Sequence, residues 1–343
     1  MFLCFYVFMI RVAINGFGRI GRNTFKAGFG RKDLKNIEWV AVNDLTDPAN
    51  LAYLLKHDSV YGAYDKRVVY DNKHLKVNSK KILVLSERDP SKLPWKKLKI
   101  DVVLECTGFF RDKKSASAHL KAGAKKVIIS TSSKGEGVGT FLLGANSKEY
   151  NGKDRIIDNG SCTTNCSAPT VSVMHANFGV EKAFLTTVHG YTATQGLVDK
   201  PHKDFRKGRA AAQNIIPTTT GAAIATTKAI PDLKDKFDGI AVRVPIISGS
   251  ISDLTFILKK NVTVERVNNA FRRAAKNQLY KGVLGVTEEQ LVSTDILGSP
   301  LSAIVDLSFT KVIDGNFVKV LAWYDNEWGY SNRLVEMVKE IQK

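Results

Sequence analysis

A G-x-G-x-x-G motif at residues 16–21 constrains the fold of this chain more than any other feature of its sequence. An apolar run at residues 10–14, which predicts a buried strand, precedes the motif, and helix-compatible residues follow it. In such a strand–turn–helix, Gly16 permits the tight turn, Gly18 lets the backbone approach a pyrophosphate, and Gly21 lets helix and strand pack closely. The sequence therefore predicts a dinucleotide-binding unit with the phosphates at the helix N-terminus.

Asp44 supplies the acidic residue that belongs to this motif. A second apolar run at residues 37–42 predicts the next strand, and Asp44 follows it, roughly twenty residues beyond the glycines. Its carboxylate would accept hydrogen bonds from the adenosine ribose diol and would repel a 2′-phosphate. NAD is therefore the predicted cofactor and NADP is disfavoured. The alternative is an ordinary β-turn-α connection. The succession of strand, glycines, helix, strand and acidic residue in this order disfavours it.

Cys162 is the candidate nucleophile of this chain. It lies in the segment NGSCTTNC, where small hydroxyl residues and then a helix-like run at residues 168–178 follow it. The hydroxyls of Thr163 and Thr164 are predicted to cap the first turn of that helix. The partial positive charge of a helix N-terminus favours a thiolate, so the pattern predicts a lowered pKa for Cys162. The alternative is that Cys162 is a small buried apolar side chain without reactivity. This is the role that we predict for Cys166.

Apolar runs divide the chain into two halves of different character. The first half alternates strands and helices, which predicts a Rossmann-type doubly wound parallel sheet; its further elements are strands at 102–107 and 126–130 and a helix at 116–122. The second half predicts an α+β catalytic domain with a mixed or antiparallel sheet, from alternating runs at 183–188, 251–258, 304–312 and 318–323. A chain of 343 residues is long enough for two such domains.

The predicted boundary between the two domains falls directly before the candidate nucleophile in the sequence. Residues 9–161 form the NAD-binding domain, residues 162–325 form the catalytic domain, and a helix within residues 326–343 completes the first domain. Residues 1–8 are apolar, and we expect them to be an extension outside the fold, with translation beginning at Met9. They are too few for a membrane span, and they lack the basic residues and cleavage site of a signal peptide.

Four further segments make a family assignment specific. They are TTVHGYT at 186–192, TTTGAA at 218–223, VRVP at 242–245 and WYDNEWGY at 323–330. Together with NGFGRIGR at 15–22 and SCTTNC at 161–166, they resemble the phosphorylating glyceraldehyde-3-phosphate dehydrogenase family. The resemblance extends from residue 9 to the C-terminus. It implies oxidative phosphorylation of glyceraldehyde 3-phosphate to 1,3-bisphosphoglycerate with NAD and inorganic phosphate, a reaction of glycolysis and gluconeogenesis.

The resemblance also implies a role for each site residue. Cys162 would attack the aldehyde to give a thiohemiacetal and then a thioester, and His189 would act as its base. On sequence alone, a histidine at a strand end is more often a structural side chain. The implied cofactor residues are Gly16, Gly18, Arg19, Ile20, Gly21, Asp44, Arg88, Ser130, Asn326 and Tyr330. For the substrate phosphate they are Thr192 and Arg243, and for inorganic phosphate Ser161, Thr163, Thr220 and Gly221.

Two other functions stay open at this point. Erythrose-4-phosphate dehydrogenase is a related enzyme with the same nucleophile and fold, although Tyr191 and Thr192 favour glyceraldehyde 3-phosphate. The net charge of +18 is compatible with a basic protein that binds nucleic acid, but the lysine pairs are scattered and no recognised binding motif accompanies them. We therefore expect nucleic acid only as a secondary partner.

The remaining expectations concern assembly and location. Residues 192–214 lack periodicity, and in the family that the chain resembles this loop lies at the subunit core, so we expect a homotetramer. Four cysteines at irregular spacing form neither a disulfide framework nor a metal pattern, and Cys106 lies in a predicted buried strand. Without a targeting segment or a membrane span, a cytoplasmic protein is expected.

Overall fold

The structure is a computed structural model that describes residues 9–342. Two compact units make up this part of the chain: the first contains residues 9–139, Tyr150–Asn159 and 334–342, and the second contains Thr140–Glu149 and Gly160–Arg333. These bounds differ from the predicted domain limits, because residues 140–149 belong to the second unit and the C-terminal part of the first unit begins at Leu334. The functional division at Cys162 stays a prediction, and the expected extension at residues 1–8 lies outside the described residues.

The helices begin and end near several of the predicted ones. They are α1 (Arg19–Gly28), α2 (Pro48–Lys56), α3 (Lys113–Lys121), α4 (Cys162–Phe178), α5 (Ala222–Ala229), α6 (Val264–Lys276) and α7 (Trp328–Glu340). Within residues 9–342, no helix has both the length and the apolar character needed to cross a membrane.

The strands form one sheet dominated by parallel pairs, one mixed sheet and a short hairpin. They are β1 (Ile10–Asn15), β2 (Ile37–Asn43), β3 (His57–Asp58), β4 (Gly62–Ala63), β5 (Val68–Asp71), β6 (His74–Val77), β7 (Lys80–Leu85), β8 (Val102–Glu105), β9 (Lys126–Ile129), β10 (Gly139–Thr140), β11 (Ile156–Asp158), β12 (Val180–Gly190), β13 (Ile216–Thr219), β14 (Phe237–Val244), β15 (Ser250–Leu258), β16 (Leu284–Thr287), β17 (Ala303–Ile313) and β18 (Phe317–Tyr324).

The first unit is built on a sheet of order β10-β11-β9-β8-β1-β2-β7-β6-β5. The strands from β11 to β7 in this order pair in parallel, and β6 and β5 add an antiparallel edge. The predicted Rossmann-type parallel sheet is therefore confirmed. Fully buried strand residues such as Val12, Ile14, Val103 and Ile128 form near-continuous apolar runs, as expected for parallel strands covered on both faces.

The second unit is built on a mixed sheet of order β13-β14-β12-β15-β18-β17-β16, which confirms the predicted α+β domain. The strands β12 and β15 alternate buried and more exposed residues, as a sheet with one covered face requires. Their buried residues Leu185, Leu254 and Phe256 share one apolar core with Met174 of α4 and Phe271 of α6. Burial of each such side chain contributes about 1.5–3 kcal/mol, and this core fixes α4 against the sheet.

Candidate active site

Ser161 caps the helix that carries Cys162. Because α4 begins at Cys162, Ser161 keeps an extended backbone, and its hydroxyl accepts a hydrogen bond from the Thr164 N–H at 3.1 Å. The prediction that Thr163 and Thr164 cap this helix is wrong, since the helix starts before the apolar run and both residues lie inside its first turn. Gly160, with a φ of 59°, supplies the left-handed turn before the cap.

The structure brings Cys162 and His189 into contact. His189 lies near the end of β12, and its Nε2 is 3.4 Å from the Cys162 Sγ. The imidazole is buried, whereas Cys162 is partly exposed. His189 Nδ1 is 2.6 Å from the Gly190 carbonyl oxygen, and when Nδ1 carries the proton the lone pair of Nε2 faces the thiol. The pair thus has the geometry of a nucleophile and its base.

Arg243 is the third member of this cluster. It pairs in register with His189 across the parallel strands β12 and β14. One guanidinium nitrogen donates to the Gly190 carbonyl at 3.1 Å and lies 2.5 Å from His189 Nδ1, so with the proton on Nδ1 two donors face the same carbonyl oxygen. Burial and the charge of Arg243 lower the pKa of His189 to about 3, although the bond to Gly190 opposes them. The imidazole is therefore neutral at neutral pH and is able to accept a proton.

Burial raises the pKa values of both cysteines in α4. Burial raises the pKa of Cys162, and the opposing effects of Arg243 and Thr163 are smaller. The predicted lowering of the Cys162 pKa is therefore wrong, because the cost of desolvating a thiolate exceeds the benefit of the helix N-terminus. Cys166 is fully buried, its Sγ is 3.7 Å from the Ala322 carbonyl, and burial raises its pKa to about 12. This agrees with the structural interpretation of Cys166.

Tyr324 links the start of α4 to β12 and was not singled out from the sequence. Its hydroxyl is 2.8 Å from the hydroxyls of both Thr163 and Thr187. Its ring meets the His189 ring edge-on, with 6.0 Å between centroids, and burial raises the pKa of the phenol. Thr163, a predicted phosphate ligand, is thus already bonded within the second unit. The available signal was the WYDNEWGY segment, in which Tyr324 ends β18.

Asn326 is held in a defined orientation. Its Oδ1 accepts hydrogen bonds from the Gly249 N–H at 3.0 Å and the Ser250 hydroxyl at 2.9 Å, so the amide nitrogen is the group left to donate. The preceding residue, Asp325, is also fixed, because its Oδ1 accepts from the N–H groups of Glu327 and Trp328, each at 2.9 Å. An amide donor held in this way fits a carboxamide carbonyl such as that of nicotinamide.

Tyr330 supports the turn that precedes the nucleophile. Its side chain is buried in α7, and its hydroxyl donates to the Gly160 carbonyl at 3.0 Å. Gly160 in turn precedes Ser161, the cap of α4. The predicted cofactor residue therefore also positions Cys162 through the backbone.

The other predicted phosphate residues make no hydrogen bond to Cys162, His189 or Arg243 in the part of the chain that the structure describes. Thr192 Oγ1 is 2.8 Å from Thr194 Oγ1, and the Thr220 hydroxyl accepts from the Ala222 N–H at 3.2 Å. Gly221 is exposed at the start of α5, with open space beside its Cα. Among residues 9–342, no hydrogen bond joins Thr192 or Thr220 to Arg243, so the two phosphate sites remain predictions.

A cavity of about 510 Å³ in the first unit contains four of the predicted cofactor residues. It lies at the carboxyl ends of β1, β2 and β8, and Gly16, Gly18, Asp44 and Arg88 line it. The Asp44 oxygens accept from the backbone N–H groups of Phe17, at 2.8 Å, and Thr46, at 3.0 Å. This fixes the carboxylate while each oxygen keeps a further lone pair for a ribose diol.

The three glycines of the motif differ in their surroundings. A Cβ at Gly16 would lie 2.7 Å from the Thr107 nitrogen, and a Cβ at Gly21 would overlap the Gly16 carbonyl oxygen. At Gly18 a Cβ would meet nothing within 4 Å, so this backbone is open to a ligand. Close packing at two glycines and an open third one fit a bound pyrophosphate.

Arg19, Ile20 and Ser130 complete the predicted cofactor residues. No side chain caps α1 at Gly18, so the first turn, with Arg19 and Ile20, suits an anion. The Arg19 side chain, however, binds Asp58 at 3.1 Å. Ser130 follows β9, and its N–H donates to the Glu105 carbonyl at 3.0 Å. Cys106, predicted to be core, is only partly buried and lines the cavity, because β8 ends at Glu105 and not at residue 107 as predicted.

Comparison with known proteins gives consistent matches along both units. The family model of the glyceraldehyde 3-phosphate dehydrogenase NAD binding domain matches residues 10–113, and that of the C-terminal domain of the same enzyme matches residues 161–326. The glyceraldehyde-3-phosphate dehydrogenase of Geobacillus stearothermophilus is 51% identical over 333 residues, covering 97% of this chain and 98% of the relative. That of Streptomyces coelicolor is 51% identical over 329 residues, covering 96% and 97%. The chain belongs to the glyceraldehyde 3-phosphate dehydrogenase family.

Proposed function

We propose that this protein is an NAD-dependent phosphorylating glyceraldehyde-3-phosphate dehydrogenase. The observation that carries the proposal is the 3.4 Å approach of Cys162 Sγ to His189 Nε2 at the start of α4, in a chain of this family. In the overall reaction, glyceraldehyde 3-phosphate, inorganic phosphate and oxidised NAD give 1,3-bisphosphoglycerate, reduced NAD and a proton. The comparisons favour neither erythrose-4-phosphate dehydrogenase nor a nucleic-acid-binding protein.

Attack by Cys162 is the first step. Its Sγ bonds to the aldehyde carbon while the thiol proton passes to His189 Nε2, and the carbonyl oxygen gains the electron pair of the broken π bond. The Cys162 N–H and protonated His189 donate to this oxygen, which His189 then protonates to complete the thiohemiacetal. Because the Cys162 pKa is raised and the His189 pKa is lowered, the proton moves during attack rather than before it.

Oxidation and phosphorolysis reuse the same pair. NAD, when bound, supplies the acceptor for the hydride that leaves the thiohemiacetal carbon. His189 Nε2 takes the hydroxyl proton at the same time, and the carbon becomes a Cys162 thioester. An oxygen of inorganic phosphate then attacks the thioester carbonyl. The C–S bond breaks, the acyl phosphate leaves, and Cys162 recovers its proton from His189.

The phosphate of the substrate would bind Arg243 and Thr192. A guanidinium offers a planar pair of donors that matches a phosphate, and a hydroxyl adds a further bond. Because the charge of Arg243 lowers the pKa of His189, a phosphate dianion at Arg243 would offset this effect and strengthen the base. The attacking phosphate would bind through Ser161, Thr163, Thr220 and the backbone of Gly221.

Each part of the cofactor has residues assigned to it from the sequence. Asp44 would accept from the adenosine ribose, and Asn326 would donate its amide N–H to the nicotinamide carboxamide, near Tyr330. The pyrophosphate would lie at the N-terminus of α1. The residues assigned to it are Gly16, Gly18, Arg19, Ile20 and Gly21, and those assigned to the adenosine half are Arg88 and Ser130.

Steady-state formation of reduced NAD tests this function. The rate is measured with glyceraldehyde 3-phosphate and with erythrose 4-phosphate, each with and without inorganic phosphate. We expect fast turnover with glyceraldehyde 3-phosphate that depends strictly on phosphate. A higher kcat/KM for erythrose 4-phosphate would favour the related enzyme, and equal rates without phosphate would indicate a hydrolytic one.

We also infer a cytoplasmic homotetramer. The loop at residues 192–214 exposes large apolar side chains, of which Leu197, Val198 and Phe205 are 74%, 70% and 88% exposed. Exposed apolar groups concentrated in one loop favour burial against another subunit. Light scattering coupled to gel filtration is expected to give four times the 37.8 kDa subunit mass. A monomeric mass would contradict this inference.

A further inference from the structure

Three polar residues end three neighbouring strands of the first unit and pair in register. Glu105 is the last residue of β8, Asn15 of β1 and Asn43 of β2. Asn15 pairs with Glu105 on one side and with Asn43 on the other. In-register neighbours on parallel strands point to the same face of a sheet, so the three side chains form one row. All three are buried, with exposures of 1%, 1% and 5% respectively.

The Glu105 carboxylate is the acceptor on which this row converges. Its Oε2 accepts from Asn15 Nδ2 at 2.6 Å and from His119 Nε2 at 3.0 Å. Its Oε1 accepts from the Thr107 N–H at 2.8 Å and also from the Thr107 hydroxyl. An ionised carboxylate accepts and does not donate, so four donors around it match an ionised group.

Trp95 fixes the tautomer of His119. The indole N–H can only donate, and it lies 3.0 Å from His119 Nδ1, so this nitrogen accepts. The imidazole therefore carries its proton on Nε2 and donates to Glu105. His119 and Trp95 are both fully buried.

The row continues from Asn15 to the far side of the cavity. Asn15 Oδ1 accepts from Asn43 Nδ2 at 2.7 Å. Asn43 also donates to the Glu87 carbonyl at 2.8 Å and accepts from the Glu87 N–H at 2.8 Å. The side-chain bonds in the row thus run in one direction, from Asn43 through Asn15 to the Glu105 carboxylate. Asn15, Asn43, Glu87 and Thr107 all line the 510 Å³ cavity.

We propose that Glu105 is a positioning residue for the cofactor, because its carboxylate orients the amides that hold the cavity together. Gly16 follows Asn15, Asp44 follows Asn43, and Arg88 follows Glu87. The Thr107 backbone packs where a Cβ of Gly16 would be, so a shift of Thr107 also changes the phosphate turn. The inference rests on the proposed binding of NAD by this cavity.

Glu105→Gln tests the role of the carboxylate. The amide NH₂ must face either the Thr107 N–H or the Asn15 and His119 donors, so at least one N–H loses its acceptor in either orientation. We expect calorimetry to give a Kd for NAD at least about tenfold above that of the wild type. The alkylation rate of Cys162 by iodoacetamide without cofactor is expected to stay within about twofold, which general unfolding would not allow.

Asp101→Asn is the matched control. Asp101 directly precedes β8 at the other end of the strand, is also buried, and accepts from the Arg11 N–H at 2.8 Å and from Lys125 Nζ at 2.7 Å. We expect its Kd for NAD to stay within about twofold of the wild type, because it does not adjoin the cavity. Equal NAD affinity in Glu105→Gln and the wild type, or equal losses in both variants, would overturn the proposal.

A second pair of variants covers the case in which Glu105→Gln does not fold. Thr107→Val removes one donor to Glu105, and Thr107→Ser keeps it. We expect the Kd for NAD to be several-fold higher for the valine variant than for the serine variant. Equal values would overturn the proposal. The proposed reaction would be contradicted if the wild type bound NAD but formed no reduced NAD with glyceraldehyde 3-phosphate. The comparison of affinities would still test the role of Glu105 in that case.

Discussion

The two units differ in how they accommodate buried polar groups. In the first unit, the buried Glu105 carboxylate receives four donors, and each amide in its row has a matched partner. In the second unit, Arg243 crowds His189, and burial moves the pKa values of His189 and Cys162 in opposite directions. Matched hydrogen bonds fix the shape of a binding cavity, whereas groups with shifted pKa values are ready to exchange protons. The comparison predicts that changes in the Glu105 row affect the affinity for NAD, whereas changes at Cys162 and His189 affect the rate.

Cys162→Ser is expected to have the largest effect. A serine hydroxyl is far less acidic than a thiol, and a neutral imidazole with a pKa of about 3 is a weak base for it. We expect kcat to fall by at least about a thousandfold. The Kd for NAD, measured by calorimetry, is expected to stay within about twofold because the first unit is unchanged.

Cys166→Ser is the control for this substitution. Cys166 lies one helical turn beyond Cys162 but is fully buried. Its replacement is expected to lower the thermal stability while leaving kcat within about threefold. Full activity in Cys162→Ser would disprove the proposed nucleophile.

His189→Gln is expected to have the next largest effect. Glutamine keeps a polar side chain at the end of β12 but does not accept a proton, so the coupled transfer from Cys162 is lost. We expect kcat to fall by about a hundredfold to ten-thousandfold, with the KM for NAD nearly unchanged. Rapid-quench measurement of the acyl enzyme would locate the loss in its formation. An unchanged acylation rate would show that His189 is a structural residue.

Strands with an uninterrupted apolar pattern could be predicted from the sequence to within one or two residues. The predicted runs at 10–14 and 37–42 became Ile10–Asn15 and Ile37–Asn43. The strands of residues 57–85 were not predicted. Those of residues 57–77 have only two to four residues each, and β7, although it lies between β2 and β6, begins with the exposed Lys80 and Lys81. The local sequence pattern is sufficient to predict a strand where burial is continuous along that strand.

The chemistry of the site could be predicted only in part. The residue types at Cys162 and His189 follow from the motifs, but the raised pKa of Cys162 depends on burial by elements distant in the sequence. Glu105 and Asn15 are likewise 90 residues apart, and only the strand order brings them together. Contacts of this kind depend on sheet topology, which a single sequence does not fix.

Arg243→Gln is expected to change the pH dependence of the second unit. The charge of Arg243 lowers the pKa of both Cys162 and His189, so its removal raises both. The thiolate is the alkylated form, and its fraction at a given pH falls when the pKa rises. Alkylation of Cys162 by iodoacetamide is thus expected to be roughly tenfold slower at neutral pH, with its profile displaced to higher pH. A profile displaced to lower pH would contradict the inferred effect of the Arg243 charge on Cys162.

Asp44→Asn is expected to act on affinity alone. The asparagine oxygen still accepts the Phe17 N–H, but the amide loses the charge that binds the ribose diol and repels a 2′-phosphate. We expect the ratio of NAD to NADP affinity to fall by about tenfold, or roughly 1.4 kcal/mol. Asp47→Asn removes the same charge three residues away and, as the cap of α2, is expected to leave this ratio unchanged. Cys162 alkylation should be the same in both variants, and a slower rate in Asp44→Asn would mean that the units are not separable into binding and reactivity.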